Sequence, residues 1–157
     1  ARRMVSAART AGRRLGVDYN RRFGFGYRQA RAWVDDGRIG NVSHAWVRVT
    51  DGIVPAYRPG PHSLLYTLLT HHVDLMRWFC GEVVSVHLRA DNLSPCGRLR
   101  DAVLSLSFDS GALGTIVAGL RPGQTRTLET FEVGGDLGAV RVDDVLREAL
   151  WHGLDPD

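Results

Sequence analysis

Apolar positions recur with two periods along the chain, and the switch from one to the other divides the sequence. Over residues 1–15, Met4, Val5, Ala8 and Leu15 stand among arginines and alanines, a spacing that predicts an amphipathic helix ended by Gly16. Val17 to Tyr19 read as a short strand, and Asn20-Arg21-Arg22-Phe23 leads into the bend Gly24-Phe25-Gly26. A second helix fits Tyr27 to Asp36, with Ala30, Trp33 and Val34 on one face and Gly37 and Gly40 closing it. From Val42 to Thr50 the period becomes two. Ser43, Ala45, Val47 and Val49 point one way and His44, Trp46 and Arg48 the other, as in a strand with one better-buried face.

A loop follows from Asp51 to Ser63, rich in proline and glycine, and loops of that length more often carry function than simply connect. Leu64 to Phe79 is the strongest helical pattern, with Leu64, Leu65, Leu68, Leu69, Leu75, Met76 and Phe79 as its apolar surface and Gly81 as its stop. Strands are predicted over Val83–Ala90, Ala102–Phe108, Ala112–Leu120, Thr127–Val133 and Ala139–Val142, with Asp109-Ser110-Gly111 marking the tightest hairpin. A short helix from Asp143 to Trp151 is expected to close the chain. Helices first and antiparallel strands afterwards imply one α+β domain over residues 1–157, an open, predominantly antiparallel sheet with helices on one face. Strands such as Ala112–Leu120 carry apolar residues on both faces, so the uncovered face is expected to make a homo-oligomer.

Composition narrows the chemistry. All 20 basic residues are arginine, which excludes Schiff-base catalysis by a lysine and a Walker-type phosphate lysine. The net charge is +3, the 17 acidic residues are interspersed, and no basic run exceeds two residues, so no nucleic-acid partner is expected. Cys80 and Cys96 show neither zinc nor redox-pair spacing, and no apolar run reaches the roughly 20 residues of a membrane span. A cytoplasmic protein without metal or membrane contact is the expectation.

The titratable residues gather around Thr70-His71-His72-Val73-Asp74. His71 and Asp74 are three apart and share a helix face, where a carboxylate can orient an imidazole for acid–base work. Thr67 and Tyr66 lie a turn earlier, and Tyr57, Arg58 and His62 lie in the preceding loop, so His72, Tyr66, Tyr57, His62 and Arg58 are candidate substrate contacts beside a catalytic His71, Asp74 and Thr67. The plainer alternative makes His72 and Asp74 a polar stripe or a buried hydrogen-bonded pair. Arg21, Arg22 and Arg58 are each able to clamp a carboxylate or phosphate. Gly24-Phe25-Gly26 fails as a dinucleotide fingerprint because Gln29 stands where the third glycine belongs, and no G-x-S-x-G elbow occurs.

Taken together, Gly16 to Phe23, Asp36-Gly37-Arg38-Ile39-Gly40, the run from His71 to Glu82 and Phe108-Asp109-Ser110-Gly111-Ala112 resemble the carboxy-terminal domain of the glucose-fructose oxidoreductase and inositol dehydrogenase family (Gfo/Idh/MocA). The resemblance implies an α+β domain that supplies substrate contacts and an oligomer interface beside a Rossmann domain binding NAD or NADP. It also implies that residues 1–19 correspond to the last helix and strand of that Rossmann unit. His71 takes the histidine of the family's D-x-x-x-H signature, Thr67 stands at its aspartate, and Asp74 matches the aspartate of H-x-x-D. The glycine fingerprint and the E-K-P segment are missing. From these departures the expected function is a cofactor-free enzyme performing acid–base chemistry at His71 (condensation, cyclisation, isomerisation or dehydration). The alternatives are one part or subunit of an NAD(P)-dependent oxidoreductase acting on a sugar or polyol, and a catalytically silent binding protein.

Overall fold

The structure, a computed structural model, describes residues 1–52, 64–91, 99–121, 123–143 and 148–153. Helix α1 (Arg2–Thr10) forms where alanine and arginine favour helix, but it stops at Gly12 rather than Gly16. The N–H groups of Gly12 and Arg13 donate to the Arg9 and Ala8 carbonyls at 3.1 and 2.9 Å, a closure that needs the left-handed φ of 60° at Gly12. The same closure at Gly37 ends α2 (Phe25–Asp35). No residue of α1 is buried. The strand predicted at Val17–Tyr19 does not form: these residues run without a pairing partner into a 3-10 turn, Asn20–Phe23. A three-residue apolar run gains nothing as a strand unless a sheet edge is beside it.

Strand β1 (Val42–Gly52) alternates as its sequence predicts, with Ala45, Val47 and Val49 buried. The helix expected over Leu64–Phe79 is two pieces, a π-helical turn (Leu64–Leu69) running into α3 (Thr70–Cys80). The wider turn re-phases the side chains, so that Leu64, Leu68 and Leu69 and then His72, Leu75, Met76 and Phe79 all face inward. Next come β2 (Val83–Asp91), β3 (Asp101–Phe108), β4 (Leu113–Arg121), β5 (Leu128–Gly135), β6 (Gly138–Asp143) and β7 (Glu148–Gly153). The last is a correction: in place of the expected helix Asp143–Trp151, Glu148–Gly153 pairs antiparallel with β6. A single isolated helix of that length is marginal, whereas the free edge of β6 offers a ready row of backbone partners.

Among the described residues the strands form one sheet in the order β2-β3-β4-β1-β5-β6-β7. Every pairing is antiparallel except the central β1–β4 pair, which runs parallel. Two antiparallel steps separate β2 from β4, so β1 and β2 also point the same way. The chain between them must return across the sheet, and α3 makes that crossing, packed against β1 and β4. The fold is therefore α+β, with α2 and α3 on one face of an open, mostly antiparallel sheet. The core between them holds Tyr27, Ile39, Leu75, Met76, Ile116, Phe131, Val133 and Val140, all at most 1% exposed.

Candidate functional site

The site forms where the 3-10 turn, α3 and β5 meet. Arg21 and Arg22 are adjacent, and the tight turn sends their side chains to different acids. Arg22 grips Asp74 with both arms of its guanidinium: Nε donates to Oδ2 and Nη2 to Oδ1, each at 2.6 Å, with a further bond from Nη2 to the Asp74 carbonyl at 3.2 Å. The guanidinium also lies over the Trp78 ring, 5.6 Å from its centroid. Asp74 thus orients an arginine and not His71, and the expected His71–Asp74 couple is corrected accordingly. A forked guanidinium satisfies both carboxylate oxygens at once, which a single imidazole nitrogen cannot.

Arg21 reaches across to Glu129 of β5, donating from Nε and Nη2 to Oε2 at 3.2 and 3.0 Å. The same oxygen faces His72 Nε2 at 2.9 Å, while Tyr27 donates its phenolic proton to Oε1. His72 is fully buried, and its Nδ1 lies 2.9 Å from the Leu68 carbonyl. Burial alone would push the Glu129 carboxyl up, but the hydrogen bond from His72 and the charges of His72 and Arg21 outweigh it and hold the group at about 2. Burial, with Glu129 beside it, pushes the Tyr27 hydroxyl far above the ordinary phenol range. Expected as a substrate contact, His72 instead faces the core; it is buried, as the plainer reading of the sequence has it, but its partner is Glu129 and not Asp74.

His71 is half-buried. Its ring meets Tyr19 edge-on at 6.3 Å between centroids, and its Nδ1 is buried without a hydrogen-bond partner. Partial burial, followed by the charges of Arg21 and His72, holds it below the usual histidine range against the opposing pull of Glu129 and Asp18. Thr67 and Tyr66 are exposed on the π-helical turn, Tyr66 at 74%. Tyr57, Arg58 and His62 lie outside the described residues. Tyr19 also lines an open cavity of about 280 Å³ together with Leu65, Thr70, Val73, Val86 and Leu88. A larger hollow of about 690 Å³ lies on the opposite face of the sheet from His71 and His72, where Arg48, Arg89 and Arg121 line it. The smaller cavity is the candidate site, because Tyr19, which lines it, meets the His71 ring.

Sequence reading missed Glu129, Tyr27 and Tyr19. Glu129 was nonetheless signalled: in Leu128-Glu129-Thr130-Phe131-Glu132-Val133 the period of two places it on the same face as Phe131 and Val133, a charge at a core position that demands partners. The bend Gly24-Phe25-Gly26 enters α2 from a 3-10 turn and not from a strand, unlike the strand–turn–helix entry of a dinucleotide-binding unit.

Residues 27–141 match the family described as GFO/IDH/MocA C-terminal domain. Among solved structures, the chain superposes on the WlbA dehydrogenase from Bordetella pertussis, crystallised with NADH and UDP-GlcNAcA, with a TM-score of 0.82 and 26% identity, over 99% of this chain and 49% of that one. A probable dehydrogenase from Thermotoga maritima gives 0.77 and 27% over 90% and 45%. GenD2 from gentamicin A biosynthesis, in complex with NAD, gives 0.79 and 25% over 90% and 43%. The chain thus spans about half the length of these proteins. No curated protein matches it.

Proposed function

Because the chain belongs to the Gfo/Idh/MocA family, as its C-terminal domain, we propose that it is the substrate-side part or subunit of an NAD(P)-dependent oxidoreductase acting on a sugar or related polyol. The observation that carries this reading is the family match over residues 27–141, from within α2 through α3 to β6; the sequence resemblance puts His71 at the family's histidine position. The comparisons favour this alternative over the cofactor-free enzyme first expected: WlbA and GenD2 were each solved with a nicotinamide nucleotide. Helix α1 adds support. It is amphipathic, yet Met4 and Val5 are 60% and 39% exposed and none of its residues is buried, as suits a helix whose packing partner is a further domain.

The described residues do not fit a nucleotide, since they include no strand–glycine–helix unit. Within this chain His71 takes or returns the proton of a substrate hydroxyl, while the cavity beside Tyr19 holds the substrate body. Asp74 and Arg22 brace α3 against the 3-10 turn and so fix the direction of His71. Thr67, a turn earlier on the exposed side, is placed to hydrogen-bond a hydroxylated ligand.

Titration with sugar nucleotides and polyols, followed through the ring resonances of His71, tests the proposal. A ligand that shifts His71 in the wild type, and loses affinity in His71→Ala, is the expected result. Turnover of any substrate by this chain without a nicotinamide nucleotide would overturn it in favour of cofactor-free chemistry. So would micromolar NADH binding that leaves every sugar and polyol without effect on His71.

A further inference from the structure

The buried cluster behind His71 has no part in binding or proton transfer as described so far, and its hydrogen-bond inventory is specific. Both ring nitrogens of His72 lie 2.9 Å from oxygens, Nδ1 from the Leu68 carbonyl and Nε2 from Glu129 Oε2. A carbonyl oxygen and an ionised carboxylate only accept hydrogen bonds. A neutral imidazole carries one hydrogen and would have to turn a lone pair against one of these two oxygens, in a place where no water screens the repulsion. A ring with hydrogen on both nitrogens answers both oxygens at once. Arg21 brings a second cation to the same carboxylate, at 3.0 Å.

We propose that Arg21, His72 and Glu129 form a positioning unit, in which a His72 ring that donates from both nitrogens and the Arg21 guanidinium set a positive pole behind His71 and keep that ring an uncharged proton acceptor. The assignment deepens the proposed function and rests on its placing His71 at the proton-transfer step. Two cations against one carboxylate leave one uncompensated positive charge, and the neighbouring ring is the group that feels it. The groups facing His71 from each packed segment are Asp18, Tyr19 and Arg21 before α2, His72 on α3 and Glu129 on β5. Burial comes first among the causes that hold its ring below the usual histidine range, and the charges of Arg21 and His72 add to it against those of Glu129 and Asp18. His71 Nδ1, buried without a partner, offers no acceptor that would stabilise a second proton.

The test is nitrogen-15 NMR of the histidine rings in the wild-type chain, with residues assigned by single substitutions. His72 is expected to show two protonated nitrogens throughout the neutral range while His71 shows one. The variants Arg21→Gln and His72→Gln should each move the His71 titration midpoint upward, and Arg21→Lys, which keeps the charge, should restore it. A single-protonated His72 at neutral pH overturns the proposal, as does an unmoved His71 midpoint in Arg21→Gln. These readings need no substrate, so they fail independently of the oxidoreductase assignment, whose own failure is read by ligand titration. Should either Gln variant not fold, the wild-type spectrum together with Arg21→Lys still decides.

Discussion

On the covered face of the sheet, Ala45, Val47, Leu104, Ile116, Phe131 and Val140 are buried under α2 and α3, and Glu129 is the buried charge among them. On the opposite face the same strands present Trp46, Arg48, Val103, Thr115, Val117 and Leu128, with Val103, Val117 and Leu128 between 42% and 46% exposed. One alternating pattern produces both surfaces, yet they obey different rules. Under the helices a charge persists only because Arg21, His72 and Tyr27 together satisfy both of its oxygens. On the open face hydroxyls, guanidinium groups and valines intermix with no such requirement, because water completes whatever the protein does not.

The sharpest way to break this contrast is to remove the buried acid. Glu129→Ala leaves two cations facing each other in the core and should cost about 3 to 5 kcal/mol, seen as a fall in the urea midpoint with an unchanged slope. A loss below about 1 kcal/mol would show that water reaches the cluster after all.

Acid should act on the same place. A carboxyl at about 2 in the folded chain and 4.5 as its ordinary value contributes stability that is complete above the ordinary value and lost as the pH falls toward 2. The share is on the order of 3 kcal/mol. His71, held below its ordinary value, adds to the loss in the same direction, because the unfolded chain binds that proton more readily as the pH drops below about 6.5. Urea unfolding at a series of pH values should show the decline, and Glu129→Gln should remove the portion between pH 4.5 and 2. A variant curve parallel to the wild type would mean that Glu129 is not the responsible group.

The smallest expected stability effect is on the open face. Val117→Asp changes a half-exposed side chain and should shift stability by less than about 0.5 kcal/mol. If a second copy of the chain covers this face, as the two-sided apolar strands suggest, the same change should reduce the mass found by light scattering. An equal mass for both proteins would place self-association elsewhere or remove it.

Much of this architecture can be read from the sequence because local rules suffice for it. Glycine stops at Gly37 and Gly81, alternation in Val42–Thr50, and the hairpin at Asp109-Ser110-Gly111 each depend on neighbours a few residues away. His71 was singled out as a candidate the same way, through motif spacing. Where the rules are not local, the reading failed. The edge of β6 turned residues 148–153 into a strand, a π-helical turn re-phased the long helix, and the parallel β1–β4 pair depends on where a crossover lands.

The sequence by itself determined which face of each strand is apolar, because side-chain periodicity follows directly from backbone geometry. Only the tertiary structure decided the side chains' partners. Arg22 takes Asp74 at a separation of 52 residues and Arg21 takes Glu129 at 108, and no spacing rule reaches that far. Which of His71 and His72 faces the core was decided in the same way. The two are neighbours on α3, and the one that turns inward is the one that finds Glu129 across the core, since a buried imidazole is stable only where both of its nitrogens are answered.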